Sequence, residues 1–193
     1  MKQDKRELII ESVIEMINSE GIAGISMSKI AKQAGISVAT TYLYFENKDD
    51  MLRQSYLDCK EKMNHFMLSQ LPENKTSEKK AVAFMGSLYK FAIEYKNEMN
   101  VIQQFRNSPM LELLELEHHK LTDEFSRPWI DIFAQGVKEG VFRDLDPEGM
   151  CYYCYFSSIG YIMSSGDKEY EAHHLKFDDL IEMTLRAIKK SDE

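Results

Sequence analysis

Ser26-Met27-Ser28-Lys29-Ile30-Ala31-Lys32-Gln33-Ala34-Gly35-Ile36-Ser37-Val38-Ala39-Thr40-Thr41-Tyr42-Leu43-Tyr44-Phe45 is the stretch that sets the fold of this chain. Two short helical segments flank Gly35. Each follows a serine, Ser26 or Ser37, whose hydroxyl can accept from the N–H groups that a first helical turn leaves unpaired. Ala31 lets the two helices approach closely, Gly35 permits a sharp turn, and Ile36 fills the angle between them. The pattern predicts a helix-turn-helix.

Working outward, Asp4 with Glu7 three residues later predicts the start of a first helix, and Gly21 its end. Leu8, Ile9, Val13, Met16 and Ile17 form its buried stripe at helical spacing. Asn47 opens a long fourth helix, with Asp49 and Asp50 in the first turn where they oppose the helix dipole. The clearest break is Leu71-Pro72-Glu73-Asn74-Lys75. Beyond it, Ala81, Phe84, Met85, Leu88, Phe91, Ala92 and Tyr95 share one apolar face. Ser108-Pro109 and Asp146-Pro147 each read as a cap followed by proline at the first helical position. Pro128 should kink or divide the helix that ends near Gly140, and a last helix runs from about Lys176 to Lys190. Strand signals are scarce and helical periodicity recurs throughout, so the expected fold is all-α. An N-terminal three-helix unit occupies residues 1–50, with helix 4 connecting from residue 47, and a larger helical domain occupies 51–193.

The third helix carries Val38, Ala39, Thr40, Thr41, Tyr42 and Tyr44, none of them charged. Small side chains let a helix lie deep in the major groove, where threonine hydroxyls and methyls meet base edges. Tyrosine hydroxyls and Ser37 can donate to phosphates, and Lys48 at the next helix start is a further phosphate partner. Leu43 and Phe45 are expected to face the core. Charge opposes this reading at first sight. The 193-residue chain has a formal net charge of −8, and residues 1–50 hold six cations against eight carboxylates. Distribution matters more than the sum, because no acidic residue lies between Gly21 and Phe45 while Lys29 and Lys32 do. DNA affinity should therefore lean on hydroxyl and backbone donors, helped by Lys29, Lys32 and Lys48.

From Gly21 to Leu52 the sequence closely resembles the TetR family of bacterial regulators, in the run S-M-x-x-I-A-x-x-A-G-I-S-x-x-T-x-Y-x-Y-F-x-N-K. The resemblance implies an N-terminal DNA-binding domain, a C-terminal helical ligand-binding and dimerisation domain, and a dimer that binds a palindromic operator on double-stranded DNA. Carried over position by position, Ser26, Ser28, Ser37, Thr41, Tyr42, Tyr44 and Lys48 would touch backbone, while Val38, Ala39 and Thr40 face bases. Thr41 stands where the family usually has leucine, and Tyr44 where histidine is frequent. The family also implies repression relieved by a small apolar or amphipathic effector.

The C-terminal part carries no family-wide motif, but its patterning is informative. Between Met150 and Ser165 apolar residues occur on every side, and such a helix is buried on every side. In a domain of this size, the second covering surface is expected to be another subunit. Phe156, Ile159, Met163, Leu180, Met183, Thr184 and Ala187 are the expected homodimer contacts, in a four-helix arrangement. Phe84, Tyr89, Phe105, Met110, Trp129, Phe133, Tyr152 and Tyr155 are the expected lining of a ligand cavity. Cys151-Tyr-Tyr-Cys154 places two thiols on one helix side and opens an alternative, a metal- or redox-responsive regulator with His118-His119 or His173-His174 as co-ligands. A strong zinc signature would have a second spaced pair, so small buried cysteines are the expectation. No cofactor is expected. No phosphate loop, H-E-x-x-H or nucleophile elbow occurs, which argues against an enzyme. Without a signal peptide or an apolar stretch long enough to span a bilayer, the expected location is the cytoplasm.

Overall fold

The computed structural model describes residues 4–108, 125–164 and 175–191. The secondary structure of these residues is helical: α1 (Lys5–Glu20), α2 (Met27–Gln33), α3 (Val38–Thr41), α4 (Lys48–Ser69), α5 (Ser77–Glu94), α6 (Lys96–Arg106), α7 (125–138), α8 (Pro147–Ser164) and α9 (Phe177–Ile188). A 3-10 turn at Ile22–Gly24 joins α1 to α2, and a single antiparallel bridge pairs Phe142 with Lys189. No described helix is long and apolar enough to cross a membrane.

Start and stop residues act largely as their chemistry dictates. The Asp4 carboxylate accepts from the Arg6 N–H at 3.0 Å, and Gly21 ends α1 at φ +74°, a conformation costly for any side chain. Asn47 Oδ1 accepts from the Asp50 N–H at 2.9 Å, and Asp146 Oδ2 from the Gly149 N–H at 2.7 Å. Between α5 and α6 the chain breaks at Tyr95, with neither glycine nor proline to announce it. The expected start at Ser108-Pro109 runs into residues outside the described ones.

The contacts divide the chain into two compact units, one holding the chain up to Met63 together with the segment from Tyr95, the other Asn64–Glu94 and the later helices. The expected boundary after residue 50 thus falls inside the first unit, because α4 and α6 pack there against α1. Arg6 grips Asp58 with both guanidinium arms at 2.8 and 3.1 Å, Tyr56 stacks near Phe105 at 5.0 Å, and Gln104 donates to the Ile17 carbonyl at 3.1 Å. Ile9, Val13, Ile17, Ile30, Phe45, Met51, Leu52 and Phe105 form its buried centre. Each is worth roughly 1.5–3 kcal/mol of apolar transfer.

In the second unit, Phe84 packs on Trp129 at 5.2 Å and on Phe133 at 6.1 Å, and Phe133 on Phe142 at 5.8 Å. Trp129 satisfies its indole N–H on Asn64 Oδ1 at 2.9 Å. Buried hydroxyls in both units return a hydrogen bond to their own helix, as Ser55 does to Met51 and Ser158 to Cys154. Small side chains with satisfied polar atoms let neighbouring helices approach closely.

Candidate nucleic-acid interface

Ser26 and Ser37 build the two ends of the helix-turn-helix. Ser26 Oγ accepts from the Lys29 N–H at 3.3 Å, and Ser37 Oγ from the Thr40 N–H at 3.1 Å. Gly35 makes the turn at φ +66°, and the Ile36 N–H closes it on the Ala31 carbonyl at 2.9 Å. After Thr41 the chain winds on more tightly, with Leu43 N–H on Thr40 O and Tyr44 N–H on Thr41 O, both at 3.1 Å. Phe45 ends the segment in the core.

Val38, Ala39, Tyr42 and Tyr44 are exposed, as are Ser28 and Ser37, and Thr40, Ser26 and Lys48 are half-buried. The hydroxyls of Ser37 and Thr40 lie 2.8 Å apart, and those of Ser26 and Ser28 3.3 Å apart. Three expectations need correcting. Thr41 is wholly buried, and its hydroxyl donates to the Val38 carbonyl at 2.7 Å. With no surface and its hydroxyl already used, it is a packing residue and not a phosphate contact. Leu43, expected in the core, is 81% exposed. Lys29 is not a free cation, because its ammonium sits on Glu20 Oε2 at 2.6 Å and on the Gly24 carbonyl at 2.9 Å. Glu20 closes α1 just outside the acid-free stretch.

The segment is held from behind by α4. Asp50 accepts from the Glu46 N–H at 3.0 Å, from Arg53 at 2.6 Å and from Gln54 at 3.0 and 3.1 Å. Burial alone would raise its pKa, but these donors together hold it below the usual carboxylate value. Gln54 also accepts from Arg6 at 3.3 Å, which completes a chain from α1 to the end of the reading segment.

Elsewhere the expected sites fare unevenly. Of the proposed dimer contacts, Phe156, Met163, Met183 and Ala187 are exposed and Leu180 is half-buried. Ile159 and Thr184 lie inside the chain's own core, at 6% and 2% exposure, so neither can form the centre of an interface. Tyr152 is another correction. It is 44% exposed and stacks on Phe156 at 5.9 Å, placing it on the apolar outer face of α8 rather than in a cavity. The other cavity candidates do not gather in one lining. Phe84, Trp129 and Phe133 form one cluster, Tyr89 stacks on Phe177 at 4.3 Å, Tyr155 meets Phe156 at 5.4 Å, and Phe105 belongs to the first unit. Met110 lies outside the described residues.

Cys151 and Cys154 are buried, and burial pushes both thiols up to about 12. Thiols so far above neutrality stay protonated and are poor nucleophiles. His118, His119, His173 and His174 fall outside the described residues. Neither thiol is in the state that a redox-responsive regulator would need.

Two serine-capped helices about Gly35, with uncharged side chains turned to solvent, form a helix-turn-helix of the kind that DNA-binding regulators present to the major groove. Residues 9–54 match the family model described as bacterial regulatory proteins, tetR family. The chain is 28% identical over 151 residues to the fatty acid metabolism regulator protein of Bacillus subtilis, covering 77% of this chain and 74% of that protein. It is 27% identical over 146 residues to the HTH-type transcriptional repressor KstR2 of Mycolicibacterium smegmatis, covering 74% and 70%. A TetR-family structure from Shewanella sp. PV-4 superposes with a TM-score of 0.83 at 18% identity, covering 98% of this chain and all of that one. The N-terminal segment of this chain is thus similar to the DNA-binding domain of the TetR family, and its overall fold is that of TetR-family structures.

Proposed function

We propose that this chain is a cytoplasmic repressor that binds a palindromic operator as a homodimer and releases it when an apolar or amphipathic molecule occupies the helical region beyond the DNA-reading unit. The observation that carries the reading is the acid-free segment Val38–Tyr44, which turns Val38, Ala39, Tyr42, Leu43 and Tyr44 to solvent within the region that matches the family model. Val38, Ala39 and Thr40 face bases, while Ser26, Ser28, Ser37, Tyr42, Tyr44, Lys32 and Lys48 meet phosphates. Two copies of a reader this small cover two half-sites one helical turn apart, which is why operator symmetry follows from protein symmetry.

Support for the dimer comes from α8 and α9. Tyr152, Phe156 and Met163 form an exposed stripe on α8, and Met183 stands out from α9 at 59% exposure. Gly160 lies on the α8 stripe with open space where a Cβ would stand, so another helix could come close there. An apolar face of this kind in an otherwise charged protein fits a second copy of itself.

The effector class follows from the Bacillus subtilis relative, whose similarity extends well beyond the reading unit. A fatty acyl chain is the effector we infer. It relieves repression only by binding better to a dimer whose reading heads are wrongly spaced than to the operator-bound form. Selection of bound fragments from the source genome, followed by titration with a long-chain fatty acid and with its thioester, tests the reading. Enriched fragments should be palindromic and should be released by one of the two probes. Enrichment of no fragment overturns the regulator reading, and release by neither probe overturns the effector class alone.

A further inference from the structure

Four large apolar or aromatic side chains of the first unit's described residues are conspicuously exposed, and all belong to the seven-residue reader itself: Val38, Tyr42, Leu43 and Tyr44. Leu43 stands apart at 81% exposure. It cannot be spilling from the core, because Thr41 and Phe45 on either side already fill the inward positions at 0% and 1%. Its backbone is fixed, with its N–H on the Thr40 carbonyl at 3.1 Å, so the side chain is presented and not merely loose. Ala39 lies one turn earlier on the same exposed side and adds only a methyl, which leaves Leu43 clear to reach past it. A leucine has no hydrogen bond to offer, so it can add neither phosphate affinity nor a polar base contact.

The base edges of the major groove include one apolar group, the C5-methyl of thymine. We propose that Leu43 reads a thymine methyl in each operator half-site and is a specificity-determining residue of this reader. The proposal rests on the DNA-reading function proposed above. It adds a thymine, contacted through its methyl group, to what the half-site must contain. In a reader with few cations, apolar contacts take a larger share of discrimination than hydrogen-bonded arginine would.

The test uses the full-length protein and a duplex enriched by it from a random-sequence pool. Each thymine of that duplex is replaced in turn by deoxyuridine, which differs only by the missing methyl. Binding is measured for the native protein, Leu43→Ala and Leu43→Met. One thymine per half-site should be methyl-sensitive, its replacement weakening native binding roughly threefold per half-site. Leu43→Ala should lose about as much on the unmodified duplex and no longer distinguish thymine from uracil there. Leu43→Met, which keeps apolar reach, should retain the distinction. The slope of affinity against salt should stay the same in all three, since no charge changes. An enriched duplex that Leu43→Ala binds as the native protein does, with unchanged methyl sensitivity, overturns this inference alone. A pool in which nothing is enriched overturns the DNA-reading function and the inference with it.

Discussion

Lys29 and Lys60 are the two cations whose surroundings most change what a sequence would assign them. Lys29 is tied to Glu20, so their charges cancel beside the reading face. Glu20→Gln should tighten duplex binding about threefold at low salt and steepen the salt dependence by close to one unit per subunit. An unchanged slope in binding titrations would show that Lys29 never reaches a phosphate. Lys60, half-buried on α4, has its pKa lowered to about 8, first by burial and then by the nearby charge of Arg106. The folded state thus disfavours the ammonium form. Stability should be lowest at and below pH 8 and should recover as pH rises toward the ordinary value of 10.5. Lys60→Met should raise the melting temperature at pH 7 by ~2–4 °C and erase that alkaline gain, as thermal denaturation at several pH values would reveal. Tyr42→Ala, at an exposed position, should weaken operator binding while leaving the thermal transition in place.

At the scale of elements, the turn after α7 depends on a glycine for space. A Cβ on Gly136 would collide with the ring of the fully buried Phe142, whose N–H bonds to the Gly136 carbonyl at 3.1 Å. Gly136→Ala should therefore cost roughly 1–3 kcal/mol in chemical denaturation, whereas Gly86→Ala, with open space at its Cβ, should not destabilise. The Asp50 hub makes a pH prediction with the opposite sign to Lys60. Its lowered pKa contributes stability that is present above the usual carboxylate value and lost as pH falls through the folded value. Asp50→Asn should flatten that part of the acid limb. Helix starts were legible because Asp4, Ser26, Ser37, Asn47 and Asp146 act through their own side chains on adjacent N–H groups, which is local chemistry. The break at Tyr95 was not, since tertiary packing of α6 against α1 sets it and no residue type marks it. Leu43 misled for a related reason. Apolar character points inward by default, but threonine at position 41 had already taken the inward place by bonding its hydroxyl to Val38. In α8 the sequence is apolar all round. Which residues the chain covers itself, such as Ile159, and which it leaves open, such as Phe156, depends on where the neighbouring helices lie.

For the whole molecule, the proposed dimer carries two readers, each with Lys32 and Lys48 beside it, so phosphate contacts by side-chain cations are few. The logarithmic salt slope of specific binding should be no steeper than about −4. Phe156→Asp combined with Met183→Glu should convert a sedimenting dimer to a monomer and remove most operator affinity, because a single reader grips one half-site. If the doubly charged variant stays dimeric, the α8–α9 face is not the interface. The uncharged segment Val38–Tyr44, through its solvent-facing side chains, is the proposed DNA reader. Footprinting of the native protein, Thr40→Ala and Tyr42→Ala on fragments selected from the source genome tests it most directly. The native protein should protect a palindrome, and both variants should protect it less while keeping their folded structure. Undiminished protection by both variants would contradict this reading.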